Sequence, residues 1–259
     1  MKNILLLFSA IVLSFSVYGQ RSVRCYNKGL LLAERSAYED AIRFFTKAIR
    51  ADPKLAKAYY NRALAHSRLG HFGISINDYS AAIRLDPHLA AAWLNRGADK
   101  KEMNDLQGAL KDYDQAIMVD PFYAKAYYDR GIVYFELSKY ETAEKDFSKA
   151  IACNPSNEAA WYNRALARIR LQQYENALKD FDMALSLQPS KARTWKQRGK
   201  LLMHLQQDTA SWNDLQQSLK LNDKDGETCH LLCMVAMRLN KEQETAFYRN
   251  KAHSLGFYK

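Results

Sequence analysis

Much of what gives a chain chemistry of its own is missing from these 259 residues. There is no Gly-x-x-x-x-Gly-Lys loop to cradle phosphate, no His-Glu-x-x-His to hold zinc beside a base, and no nucleophile elbow. The six histidines, His66, His71, His88, His204, His230 and His253, are scattered, and only His230 sits beside cysteine. An enzyme, a resident cofactor and a metal site are therefore not expected. Cysteine is scarce as well. Cys25 and Cys153 lie too far apart along a stack of helices to come within the roughly 7 Å at which a disulfide can close. Cys229 and Cys233 stand at i, i+4 on one helix face, where they read as small apolar fillers. Long hydrophobic runs are absent beyond the N-terminus, so no later stretch approaches the roughly 20 apolar residues that span a bilayer.

The N-terminus is different in kind. Met1-Lys2-Asn3, the apolar run Ile4 to Val17 and then Val17-Tyr18-Gly19 predict a secretory signal over residues 1–19, cut after Gly19. The run, about 15 residues, is too short for a membrane anchor. Arg24, Val23 and Ser22 precede Cys25 where a lipid-attachment site would need other residues. The expectation is a bacterial-type exported protein, in periplasm or medium. Formal charge is +10, and +9 once Lys2 leaves with the signal. That excess favours acidic partners without choosing among them.

Proline is rare and regular. The five residues Pro53, Pro87, Pro121, Pro155 and Pro189 fall 34 apart, and there is no sixth. Large rings share the period at Tyr59, Trp93, Tyr127, Trp161 and Trp195, and again at Phe45, Tyr79, Tyr113, Phe147 and Phe181. Within one period apolar residues recur twice at helical spacing, as in Tyr127, Gly131, Tyr134 and Leu137, then Tyr140, Ala143, Phe147 and Ala150. Each unit is two helices, with turns near Ser138-Lys139 and at Leu69-Gly70-His71. Asp-Pro or Asn-Pro ends the second helix, because proline disfavours helical geometry in the residue before it. Small residues at Gly29, Ala63, Gly97, Gly131, Ala165 and Gly199 mark where the rings of the second helix pack. The fold class is all-α.

This pattern resembles the tetratricopeptide repeat (TPR). The resemblance implies a right-handed solenoid of about seven 34-residue helix-turn-helix repeats over residues 22–259, with units starting near 22, 56, 90, 124, 158, 192 and 226. Units two to five match best. The sixth ends at Asn222-Asp223 without proline and the seventh has Cys229, Cys233 and Arg249 at family positions, as polar terminal units of a solenoid would. By the same resemblance, the second, fifth, sixth, ninth, twelfth and thirteenth residues of each unit line a concave face that binds other proteins.

Three features stand out on that face. The sixth position reads Asn27, Asn61, Asn95, Asp129 and Asn163, similar to the asparagine ladder with which O-linked N-acetylglucosamine transferases grip peptide backbones. An amide offers a donor and an acceptor to such a backbone, although asparagine there is also merely tolerated in the family, and Asp129 lacks donors. The fifth position supplies Tyr26, Tyr60, Tyr128 and Tyr162, with Leu94 interrupting, either for an interface or for packing between first helices. In the sixth unit Arg193, Lys196 and Lys200 form a basic stripe on one helix face. Either a bound anion answers it or acids on neighbouring helices do. The clamp that some family members use for a C-terminal carboxylate is absent: Tyr26, Leu30, Tyr60 and Leu64 occupy its places. The recurring Arg62, Arg96, Arg130, Arg164 and Arg198 read as structural, stems over rings and guanidinium groups reaching acids on the adjacent repeat. The leading expectation is a non-enzymatic adaptor holding an extended protein segment. The alternative is a polyanion binder using the basic stripe, with nucleic acid disfavoured by the near balance of charge from Gln20 to Pro189.

Overall fold

A computed structural model describes residues 20–257, so the expected signal at 1–19 lies outside the described residues. Every regular element among the described residues is an α-helix. They are α1 (20–34), α2 (Tyr38–Ala51), α3 (Ala56–Arg68), α4 (Phe72–Leu85), α5 (Ala90–Glu102), α6 (Leu106–Val119), α7 (Ala124–Glu136), α8 (Tyr140–Cys153), α9 (Glu158–Arg170), α10 (Tyr174–Leu187), α11 (Ala192–His204), α12 (Asp208–Leu221), α13 (Gly226–Arg238) and α14 (Glu242–Ser254). They pair as seven helix-turn-helix repeats. The chain divides into two compact units, one ending at Val133 and the other beginning at Tyr134. No helix among the described residues is long and apolar enough to cross a membrane.

The turns within repeats are set by one backbone torsion. Ser36, Asn104, Ser138, Gln172, Gln206 and Asn240 all have φ between 56° and 62°, and Gly70 has φ 75°, so a left-handed residue recurs every 34 positions. It ends the first helix by turning the next amide back: His71 N–H donates to His66 O at 2.9 Å and Asp105 N–H to Lys100 O at 2.8 Å. Glycine is used once. The turns between repeats are extended instead, with Asp52, Asp86, Asp120, Asn154 and Gln188 at φ between −142° and −131°, as a following proline requires. Asn222 adopts the same shape at φ −143° without proline, so the sixth repeat keeps its ending.

In the first unit Phe45, Tyr79 and Tyr113 are fully buried. They lie over the small residues of the preceding helix, closely enough that a Cβ on Gly97 would stand 2.8 Å from the Tyr113 ring. Trp93 donates its indole N–H to Pro87 O at 3.0 Å. That bond joins the proline column to the ring column. In the second unit Phe147, Phe181 and Leu215 fill the same places, and Trp161 and Trp195 donate to Pro155 O and Pro189 O, each at 2.8 Å. Cys229 is buried with Trp212, Leu215, Leu232 and Val235, and Cys233 is buried on the same helix.

Candidate functional site

The arginine column comes first, because it fixes the helices that carry everything else. In the first unit Arg62 holds Asp78 with two parallel bonds of 2.7 Å and reaches Thr46 Oγ1 at 3.0 Å. Arg96 repeats this with Asp112 and Ser80, and Arg130 reaches Asp114 at 2.6 Å. In the second unit Arg164 takes Asp180 and Ser148, and Arg198 takes Asp214 and Asp182. Each guanidinium also lies over a ring: Tyr59, Trp93, Tyr127, Trp161 or Trp195, at 4.8–5.7 Å. The structural reading stands with one amendment. The forked partner of Arg62, Arg96, Arg164 and Arg198 lies on the second helix of the same repeat, and the remaining nitrogen reaches back to the previous one. Asp78 and Asp112 in the first unit, and Asp146, Asp180 and Asp214 in the second, are buried acids that the sequence reading passed over, although their 34-residue spacing could have revealed them.

The ladder is built from pairs. In the first unit Asn61 Nδ2 donates to Tyr26 Oη at 3.0 Å and to Lys57 O at 2.9 Å, and Asn95 Nδ2 donates to Tyr60 Oη at 3.0 Å. The Asn61 amide therefore does not itself offer both groups to a ligand. Asn61 has both of its N–H bonds occupied and keeps only its carbonyl oxygen, while the tyrosine hydroxyl that accepts from it retains its own proton to donate. The rings of Tyr26 and Tyr60 pack on Phe45 and Tyr79, each pair at 5.9 Å, so the tyrosines serve packing and present a hydroxyl at once. Burial raises the pKa of both phenols, against the opposing effect of the asparagine bond. Asn27, in the first described repeat, is exposed. In the second unit Tyr162 packs on Phe181 at 5.9 Å, Arg193 covers it at 4.5 Å, and Asn163 is half-buried.

The third rung departs from the other two. Leu94 stands where Tyr26 and Tyr60 stand in the earlier repeats and is buried, and Asp129 replaces the asparagine that would have used a hydroxyl there. The two departures belong together, since an amide at 129 would find no oxygen at 94. Around Asp129 lies a cleft of about 340 Å³ lined by Ala98, Lys101, Glu102, Tyr113, Lys125, Tyr128, Asp129 and Ile132. Apart from Tyr113, these are the second, fifth, sixth and ninth residues of one repeat and the ninth, twelfth and thirteenth of the one before. The register positions proposed for the binding face thus converge on one surface within the first unit.

The basic stripe is answered by the chain itself. Lys196 Nζ lies 2.7 Å from Glu227 and 3.0 Å from Asp225, Lys200 Nζ lies 2.9 Å from Glu227, and Arg193 lies 3.3 Å from Glu158. Hydrogen bonds from Lys196 and Lys200 lower the pKa of Glu227. Burial opposes ionisation of Asp225, but bonds from Lys196 and Thr228 outweigh it and lower that pKa as well. The anion-binding expectation for Arg193, Lys196 and Lys200 loses its physical motive, because no unanswered repulsion remains for an outside anion to relieve.

A tetratricopeptide repeat model matches residues 124–157 and 158–191, a second matches 56–89, and a TPR repeat model matches 29–70 and 100–138. The chain belongs to the tetratricopeptide repeat family. Proteins of this family typically mediate protein–protein interaction, and the repeats are generally non-enzymatic. Among solved structures, the C-terminal part of a TPR protein from Cytophaga hutchinsonii is similar at TM-score 0.76 and 15% identity, over 90% of this chain and 96% of that one. A tetratricopeptide repeat protein from Parabacteroides merdae is similar at TM-score 0.67 and 20% identity, over 93% and 95%. YrrB, described as a TPR protein with an unusual peptide-binding site, is similar at TM-score 0.62 and 19% identity, over 76% and 97%. At these identities the likeness concerns the fold. No curated protein sequence matches the chain significantly.

Proposed function

We propose that this tetratricopeptide repeat protein is a non-enzymatic adaptor that holds an extended peptide segment along its ladder of tyrosine–asparagine pairs. The observation that carries the reading is the pair itself, repeated at Tyr26–Asn61 and Tyr60–Asn95 with the same 3.0 Å bond. Each rung presents a hydroxyl proton and a carbonyl oxygen from groups already held in place. A peptide backbone carries the complementary acceptor and donor on every residue except proline, so such a rung grips main chain whatever its side chains. Preorganisation lowers the entropy lost on binding. The description of YrrB as a peptide-binding TPR protein agrees with this reading. The partner is a protein met outside the cytoplasm if the signal over residues 1–19 is cleaved, in which case the exported chain begins at Gln20.

Affinity selection from a random peptide library tests the reading. The wild type is expected to enrich extended peptides, and Asn61→Ala/Asn95→Ala, with its helical circular dichroism retained, is expected to lose them. Equal enrichment by both proteins would move binding off the ladder.

A further inference from the structure

We propose that the cleft around Asp129 is a side-chain subsite that takes the cationic head of an arginine or lysine in the bound peptide. This rests on the peptide reading and adds a specificity to it.

At the first two rungs the sixth-position side chain is bonded to the preceding tyrosine, and the pair offers both a donor and an acceptor. At the third there is no hydroxyl and no amide. Leu94 neither donates nor accepts, and an ionised carboxylate only accepts. No hydrogen bond and no ion pair reaches the Asp129 carboxyl among the described residues; Lys125, one turn earlier, and Lys101 act on it only at longer range. Burial raises the pKa of Asp129 despite both lysines, which is the signature of a carboxylate short of partners. The group that supplies what is missing is rich in N–H and positively charged.

The cleft fits such a group. Ala98 and Ile132 offer apolar surface to the methylenes of a long basic side chain, as such stems prefer. Glu102 also lines the cleft and is a second acceptor. The charged residues lining the cleft are Lys101, Lys125, Glu102 and Asp129, which balance, so an arriving cation meets no net repulsion. Arginine suits the site better than lysine, because its planar fork can pair with both oxygens of one carboxylate.

Two measurements test the proposal and separate it from the peptide reading. In the first, Nα-acetyl-arginine methylamide is titrated into the full chain and followed by amide chemical shifts. Shifts are expected at Ala98, Asp129 and Ile132, with affinity at least tenfold weaker in Asp129→Asn and unchanged in Lys111→Ala. In the second, library peptides selected by the wild type are expected to carry arginine or lysine at one fixed position, and those selected by Asp129→Asn to show no such preference. Absence of shifts at the cleft, or peptides selected without a basic position, would overturn the subsite; in the latter case peptide binding would stand without it. Cleft shifts with no peptide selected at all would support the subsite and contradict the peptide reading.

Discussion

At the scale of single residues, two side chains stand apart from their columns. The Tyr79 hydroxyl is buried and makes no hydrogen bond of good geometry among the described residues, because Ser67, which stands beside it, gives its own proton to Asp99. Phenylalanine fills the same position at Phe45, Phe147 and Phe181, so Tyr79→Phe removes an unsatisfied polar group without a change of shape. It is expected to leave stability unchanged or to raise it by about 1 kcal/mol, read from urea unfolding; a loss of that size would mean the hydroxyl is bonded. Asp129 is the second. Because burial raises its folded pKa above the ordinary carboxylate value of about 4, ionisation costs folding free energy at neutral pH, and the cost fades as pH falls through that pKa. Asp129→Asn should therefore melt higher than wild type at pH 7 and alike near pH 3. A lower melting temperature at pH 7 would show that the carboxylate has a stabilising partner. Residues of this kind explain what was legible in sequence. The ladder was visible as a list of polar residues, but the bond from Asn95 to Tyr60 joins positions 35 apart, and nothing in a single column indicates that the tyrosine serves the next repeat's amide. The joint departure of Leu94 and Asp129 acquires its meaning only from that bond.

Between elements, ion pairs and turns carry the arrangement. Asp78 has Arg62 as its forked partner, whereas Asp112 is held by both Arg96 and Lys100, the latter at 2.8 Å. Removing one side of an interior pair strands the other charge. Arg62→Ala is thus expected to cost about 3 kcal/mol, and Arg96→Ala distinctly less, because Lys100 still answers Asp112. Chemical denaturation of the two variants in parallel checks this, and equal losses would show that Lys100 contributes nothing. The left-handed turn column gives a prediction of opposite sign. Gln172, at φ 59°, pays a steric cost that glycine avoids, so Gln172→Gly should gain about 1 kcal/mol. No gain in unfolding midpoint would mean that the glutamine side chain compensates. The helices, their pairing and the extended turn before each proline were readable because apolar spacing and proline act locally. Turns within repeats were read at Gly70 and near Ser138 only, and the left-handed torsion at the glycine alone, since serine, asparagine and glutamine do not announce it.

For the molecule as a whole, seven helix pairs follow from columns of one period, and the sequence carries that information redundantly in proline, rings and small residues. The basic stripe left two readings open for a related reason. Its answering acids, Glu158, Asp225 and Glu227, lie off the helix that carries the stripe, 27 to 35 positions away, and a reading of one helix at a time cannot see them. What remains on the ladder face of the first unit is a set of hydroxyl protons and carbonyl oxygens at fixed spacing, on side chains already held by packing and by one another. Lys111, Lys145 and Lys179 provide a comparison, being exposed on α6, α8 and α10. The most direct test places a photoreactive residue at Asn61, Asn95 or Tyr128, or at one of those three lysines, and crosslinks each variant to a library-selected peptide. The account predicts crosslinks from the ladder positions, with the peptide's attachment point shifting steadily from 61 to 95 to 128, and none from the lysines. Crosslinks from the lysines, or one attachment point shared by all three ladder positions, would contradict it.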